Sequence, residues 1–193
     1  DRTIMNNSTG MSTEFDIVNM FRDLCANPRF RRQFIDSYCL VAGSVFNPKR
    51  SGAIADSLAA NVSSMLRLEG RDPSSAVNSV KNNLTDTRTS SRMDALENFS
   101  LLQAKSLKSQ RVTLIARQAV IKLFVNNLPV PTNAFSGRLY GPVTIRAEVP
   151  AGYRFLGWYD NLKDKNNYAC TDVEWTLPEG QYVYAVADCE RID

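Results

Sequence analysis

Apolar residues recur about every 3.6 positions in the first part of this chain and every second position after about Ala116 to Val120. That change of period decides the fold class, because a helical stripe and a strand face cannot exchange places without turning side chains to the wrong side. The chain is expected to be α+β: an N-terminal irregular helical subdomain over residues 1–116, then a small antiparallel β-module over residues 117–193. A length of 193 residues is enough for two units of this size.

The helical starts repeat one device. Asn27-Pro28, Asn47-Pro48 and Asp72-Pro73 each supply a capping side chain, followed by proline where a missing N–H costs nothing. Before the first of these, Thr13 with Asp16 makes a capping pair, and Phe15, Val18, Phe21, Leu24 and Cys25 follow at helical spacing. The second helix carries Phe30, Phe34, Tyr38, Val41 and Val45. The third carries Ile54, Leu58, Val62, Met65 and Leu66 and ends near Gly70. A short fourth helix uses Val77, Val80 and Leu84. A fifth is predicted from about Arg92 through Leu107, after the polar stretch TDTRTSSR. Each stripe reads as core, and together they form an irregular bundle or a subdomain that packs on something else.

From residue 120 the pattern is that of half-buried strands. VIKLFVN alternates Ile121, Leu123 and Val125 against Lys122 and Phe124, and PVTIRAEVP places Val143, Ile145, Ala147 and Val149 on one face. YRFLGWYD, ACTDVEWTL and QYVYAVAD continue the pattern, separated by turn chemistry at PAG, DNLKDKNN and LPEG. In GYRFLGW, Gly152 closes a turn, and Tyr153, Phe155 and Trp158 read as core aromatics rather than a ligand platform. Six aromatics, Tyr140, Trp158, Tyr159, Trp175, Tyr182 and Tyr184, cannot all face inward on a sheet of period two. Tyr159 and Trp175 are taken as the surface candidates for partner binding.

Composition narrows the chemistry. The chain has no histidine, which removes Ser-His and Cys-His nucleophile pairs and histidine-ligated zinc. A net charge of +3, scattered along the chain, gives no argument for nucleic acid. No apolar run approaches the ~20 residues that span a bilayer, and no signal peptide is present. The chain opens on Asp1 and is read as a processed or excised segment. GSVFNPKRS, residues 43–51, lacks the second glycine and the Lys-Ser/Thr pair of a phosphate loop, so it reads as a helix junction. In DNLKDKNN, Asp160, Asp164, Asn166 and Asn167 offer oxygens, but Lys165 stands where a calcium loop needs glycine; a polar hairpin loop is the reading. Cys25 and Cys39 fall at apolar positions of successive helices and read as buried thiols. Cys170 and Cys189 lie nearly equidistant from the turn LPEGQ; they are either free or joined in a disulfide, which would imply an oxidising compartment.

Two stretches resemble a known family. GPVTIRAEVPAGYRFLGWYD, preceded by VNNLPV, resembles the small β-module of bacterial surface proteins related to the internalin-type B-repeat, with Gly141, Val143, Ile145, Ala147, Pro150, Gly152, Tyr153, Phe155, Gly157 and Trp158 in place. VNMFRDLCANPRFRRQFIDSYCLVAGSVFNPKRSGAIADSLAANV resembles the segment that follows the catalytic core in the spore-coat protein H (CotH) family of secreted, atypical protein kinases. The ordered match runs from about residue 17 to 190. It implies the C-terminal part of a CotH-like protein, outside the cell or in its envelope. On this reading the chain itself is not an enzyme, because no position matches the family's nucleotide-binding lysine or metal-binding aspartates. The chain would hold no cofactor, ATP and a divalent metal belonging to the longer parent. Expected partners are the upstream kinase-like domain and a cell-surface protein or glycan, with no nucleic acid and no membrane span.

Two rival readings remain. The basic run RFRRQF reads first as the solvated face of a helix, but Arg29, Arg31 or Arg32 could reach a phosphate across a domain junction and complete the parent's kinase site. Alternatively, the chain is a free-standing adhesin or carbohydrate-binding module.

Overall fold

The computed structural model describes residues 16–84, 86–160 and 167–192 and has an α+β fold. Its helical part holds α1 (Asp16–Cys25), α2 (Pro28–Leu40), a π-helical turn (Val41–Val45), α3 (Pro48–Leu68), α4 (Ser74–Asn83) and α5 (Asp86–Asn98), then two short 3-10 turns, Ser100–Leu102 and Ala104–Ser106. Two proline-marked starts form where the sequence places them. Asn27 Oδ1 accepts the N–H groups of Arg29 and Phe30 at 2.9 and 3.4 Å, and Asn47 Oδ1 those of Lys49 and Arg50 at 3.1 and 3.3 Å. The third is displaced by one residue: Asp72 Oδ1 takes both the N–H (3.0 Å) and the hydroxyl (2.8 Å) of Ser74, so Pro73 stands just outside α4. Thr13 and Phe15 lie outside the described residues.

The strands are β1 (Ser109–Ala116), β2 (Lys122–Val125), β3 (Leu128–Pro129), β4 (Ala134–Tyr140), β5 (Thr144–Glu148), β6 (Tyr153–Tyr159), β7 (Glu174–Thr176) and β8 (Val183–Arg191). They form two four-stranded sheets, ordered β4-β1-β8-β6 and β3-β2-β5-β7. Asn126 and Asn127, both at positive φ, make the two-residue turn between β2 and β3.

Three expectations change. The fifth helix ends at Asn98 and reaches back through most of the polar stretch to Asp86, anchored by buried Met93 and Leu96. The strand region begins at Ser109, so a boundary at residue 116 cuts β1 away from its own sheet. The module is also not wholly antiparallel, because β1 pairs with β8 in parallel, Val112 opposite Val183.

A single buried cluster runs from Cys25, Ile35 and Cys39 in the helices through Leu102 to Val112, Ile145 and Trp158 in the sheets. The helices contribute α1, α2 and α5 to it. At the junction Gly43 lies against the Phe135 ring, and a Cβ there would stand 2.3 Å from the ring edge. Glu97 of α5 accepts from Arg138 and from the Tyr140 hydroxyl, both at 2.7 Å.

The third link is polar and buried. Asp36 Oδ2 accepts from Arg32 Nε and from Asn126 Nδ2, each at 2.9 Å, while Arg32 also donates to the Pro142 carbonyl at 2.7 Å. Asp36 is 2% exposed, and its Oδ1 has no partner. Burial therefore pushes its carboxyl above the usual range, opposed by the Asn126 bond and by Arg32. A raised native pKa means the folded state holds the proton more tightly than the unfolded chain does. The contribution is full below the ordinary carboxylate value and is lost as pH rises through the raised one. Relative to wild type, Asp36→Asn should therefore gain in urea-unfolding free energy from about pH 4 to about pH 7. A difference constant across that window would show that the carboxyl is unperturbed.

Candidate functional site

Among the described residues, α3 carries more exposed large apolar side chains than any other element. Ile54, Leu58, Val62 and Met65 follow at intervals of four, four and three, so they line one side of the helix, and all four are exposed. Leu68 at its end is 90% exposed. In this 21-residue helix the one buried residue is Gly52. Its neighbour α4 has no buried residue and is held to it by an ion pair between Lys81 Nζ and Asp56 Oδ1 at 2.6 Å. Both charges are exposed, so that bond contributes at most about 1 kcal/mol. The hairpin of α3 and α4 thus hangs on the body with its apolar stripe in water. Nearby, a half-open apolar cavity of about 380 Å³ is lined by Phe34, Tyr38, Val41, Phe46 and Leu84, with Arg92 at its wall. Val41 and Phe46 are themselves exposed.

The arginines of the basic run separate. Arg31 Nη1 donates to the carbonyls of Cys25 and Ala26, at 2.6 and 3.2 Å, and ties down the end of α1. Arg32 serves the buried junction with Asp36. Arg29 is exposed and, among the described residues, is the one of the three without a side-chain partner. The structure does not bring the three together on one anion.

The aromatic candidates also move. Tyr159 is 5% exposed, so it is not a surface residue: its hydroxyl donates to Asp188 Oδ2 at 3.0 Å and lies 3.1 Å from the Tyr168 hydroxyl, with the two rings 4.5 Å apart. The bond to Tyr168, burial and the bond to Asp188 together push its phenol up. Arg117 and Gln118 donate to the same buried carboxylate at 2.6 and 2.7 Å. Trp175 sits half-buried on β7 opposite Ile145 and packs against the core. Trp158 is fully buried, its indole N–H donating to the Asp172 carbonyl at 2.9 Å, and Tyr153 and Phe155 pack on the core beside it. Among the six aromatics weighed from the sequence, the exposed one is instead Tyr182, at 61%.

Gly157 explains the second glycine of GYRFLGW. At φ +152° it sits in a bulge opposite β8, and a Cβ there would lie 2.6 Å from the Tyr168 ring and 2.8 Å from the Cys170 carbonyl oxygen.

Of the two alternatives for Cys170 and Cys189 the structure has the free thiols, and all four cysteines are unpaired. Cys189 pairs across one edge of β6 with Phe155, and Cys170 across the other edge with Trp158. A whole strand separates them, a gap of about 9–10 Å between backbones, where a disulfide needs less than about 7 Å. Burial raises Cys39 to about 12, followed in effect by Asp36, and also raises Cys25 and Cys189. Four thiols are thus expected to react once the protein is denatured without reductant. A mass two hydrogens lower, with two thiols missing, would contradict this strand arrangement.

Asp164 and Asn166 of the polar loop lie outside the described residues. Among the described residues, no cluster of three or more His, Cys, Asp or Glu side chains is placed to hold a metal, and no helix is long and apolar enough to cross a membrane. GSVFNPKRS is a junction of the π-helical turn with α3, closed by the Asn47 cap. No family model matches the chain, and no curated protein matches it.

Proposed function

We propose that this chain is the non-catalytic C-terminal segment of a secreted or envelope-bound CotH-like protein, in which α3 and α4 brace a kinase-like domain and the β-sheets form a rigid appendage that binds a surface partner. One observation carries the reading: the apolar stripe Ile54, Leu58, Val62 and Met65 lies unburied on a helix that has almost no other packing. Such a face costs free energy in water and gains it on a second surface. The ordered resemblance of the helices and then the β-module supports the choice of a kinase-like neighbour. ATP and a divalent metal belong to that neighbour.

The test compares this chain with the full-length gene product in a magnesium–ATP titration and by amide hydrogen exchange. On its own, the chain should bind no nucleotide, and amides of α3 and α4 should exchange far faster than those of β1 and β8, because few buried contacts hold the hairpin. In the full-length protein nucleotide should bind and the hairpin become protected. A gene product without an upstream kinase-like domain, or a hairpin equally labile in both, would sink the reading.

A further inference from the structure

One face of sheet β4-β1-β8-β6 carries an arrangement that folding alone disfavours. Arg111 of β1 and Arg138 of β4 stand directly opposite one another in the antiparallel ladder, and like charges so placed repel. Glu97 neutralises Arg138 at 2.7 Å. Arg111 is exposed and has no ion pair or side-chain hydrogen bond among the described residues, so one positive charge is left over at this spot. Thr113 and Ser136, the next pair on the same face, have their hydroxyls 3.2 Å apart.

Over this pair opens a polar cleft of about 510 Å³ between the sheet, the start of α3 and the turn Gly180–Tyr182. Tyr182 lines it and is largely exposed, its hydroxyl 3.3 Å from Thr113 Oγ1. Gln110, 4% exposed, also lines it: its Oε1 accepts the Gly180 N–H at 3.1 Å, while its Nε2 has no partner. Thr89 Oγ1, on the helical wall, is likewise buried and unpaired. An uncompensated arginine and an exposed ring thus meet in one largely polar cavity of ligand size.

We propose that this cleft binds one or two units of an acidic saccharide, with a carboxylate or phosphate on Arg111 and the apolar face of a sugar ring on Tyr182. The anion would relieve the repulsion between Arg111 and Arg138, and the hydroxyls would meet the serine- and amide-rich lining. Apolar ligands are disfavoured because the walls are mostly polar. The inference does not rest on the bracing role of α3.

The full chain is titrated calorimetrically at low salt with a galacturonate trimer, a 6-phosphorylated galactose trimer, a neutral galactose trimer and inorganic phosphate. At least one acidic oligomer should bind, more than about tenfold tighter than the neutral one, and the binding should weaken as salt is raised. Arg111→Gln and Tyr182→Ala should each weaken it by roughly tenfold or more. Arg111→Gln should at the same time raise the melting temperature, because it removes the repulsion, so lost binding cannot be put down to misfolding. Four outcomes would overturn the proposal: no acidic oligomer binds, the neutral trimer binds equally well, both variants bind like wild type, or phosphate alone binds as tightly as the oligomers.

Discussion

Trp158→Ala is expected to lose about 3–5 kcal/mol of unfolding free energy, enough to leave a chain of this size marginal or unfolded. The indole is fully buried between the sheets, edge-on to Phe155 at 5.6 Å, and its N–H satisfies the Asp172 carbonyl. Alanine would remove that volume, open a cavity and give up the bond to the Asp172 carbonyl. Trp175→Ala is the control: half-buried on β7, that side chain should cost about 1 kcal/mol. Urea unfolding of the two variants decides the matter. A small loss at Trp158, or equal losses at both, would mean that the aromatic motif is not the core of the module and would return it to consideration as a binding platform.

Gly43→Ala is expected to cost about 3 kcal/mol, although it adds a single methyl group. The new carbon would meet two Phe135 ring atoms at 2.3 and 2.8 Å and the Ser136 carbonyl oxygen at 3.0 Å. Phe135 is itself 1% exposed and has little room to retreat, so the π-helical turn must lift off β4. The double variant Gly43→Ala with Phe135→Leu should recover part of the loss, because the two sites share one contact. Additive losses in that cycle would show that the turn does not press on β4.

The helical starts and most strands were legible in the sequence because their signals are local: an Asn before Pro, or an alternation five residues long. What was not legible depended on partners distant in the chain. Val112, Leu114 and Ala116 alternate inward and could have marked β1, but Ile115 beside Leu114 blurs the period, and the strand is confirmed only by its pairing with β4 and β8. The apolar stripe of α3 reads like that of α2; nothing local says that one finds a core and the other stays in water. Tyr159 lies on the face of β6 opposite Phe155 and Trp158, where a surface residue is expected, but Tyr168 and the Asp188 cluster with Arg117 cover it, and Asp188 is 29 positions away. Arg111 and Arg138 are 27 positions apart in the sequence, and only strand pairing makes them neighbours.

The place of β8 also sets the order in which the protein can assemble. As the last strand it lies between β1 and β6, and the Arg117–Asp188 bond at its edge joins residues 71 positions apart. During synthesis β1 and β6 therefore emerge long before the strand that must sit between them, and each waits with an unpaired edge. Folding of this sheet has to be a late, non-local closure, slow for a chain of this length. A chain that loses its last ten residues, 184–193, would lose nearly all of the central strand rather than a tail.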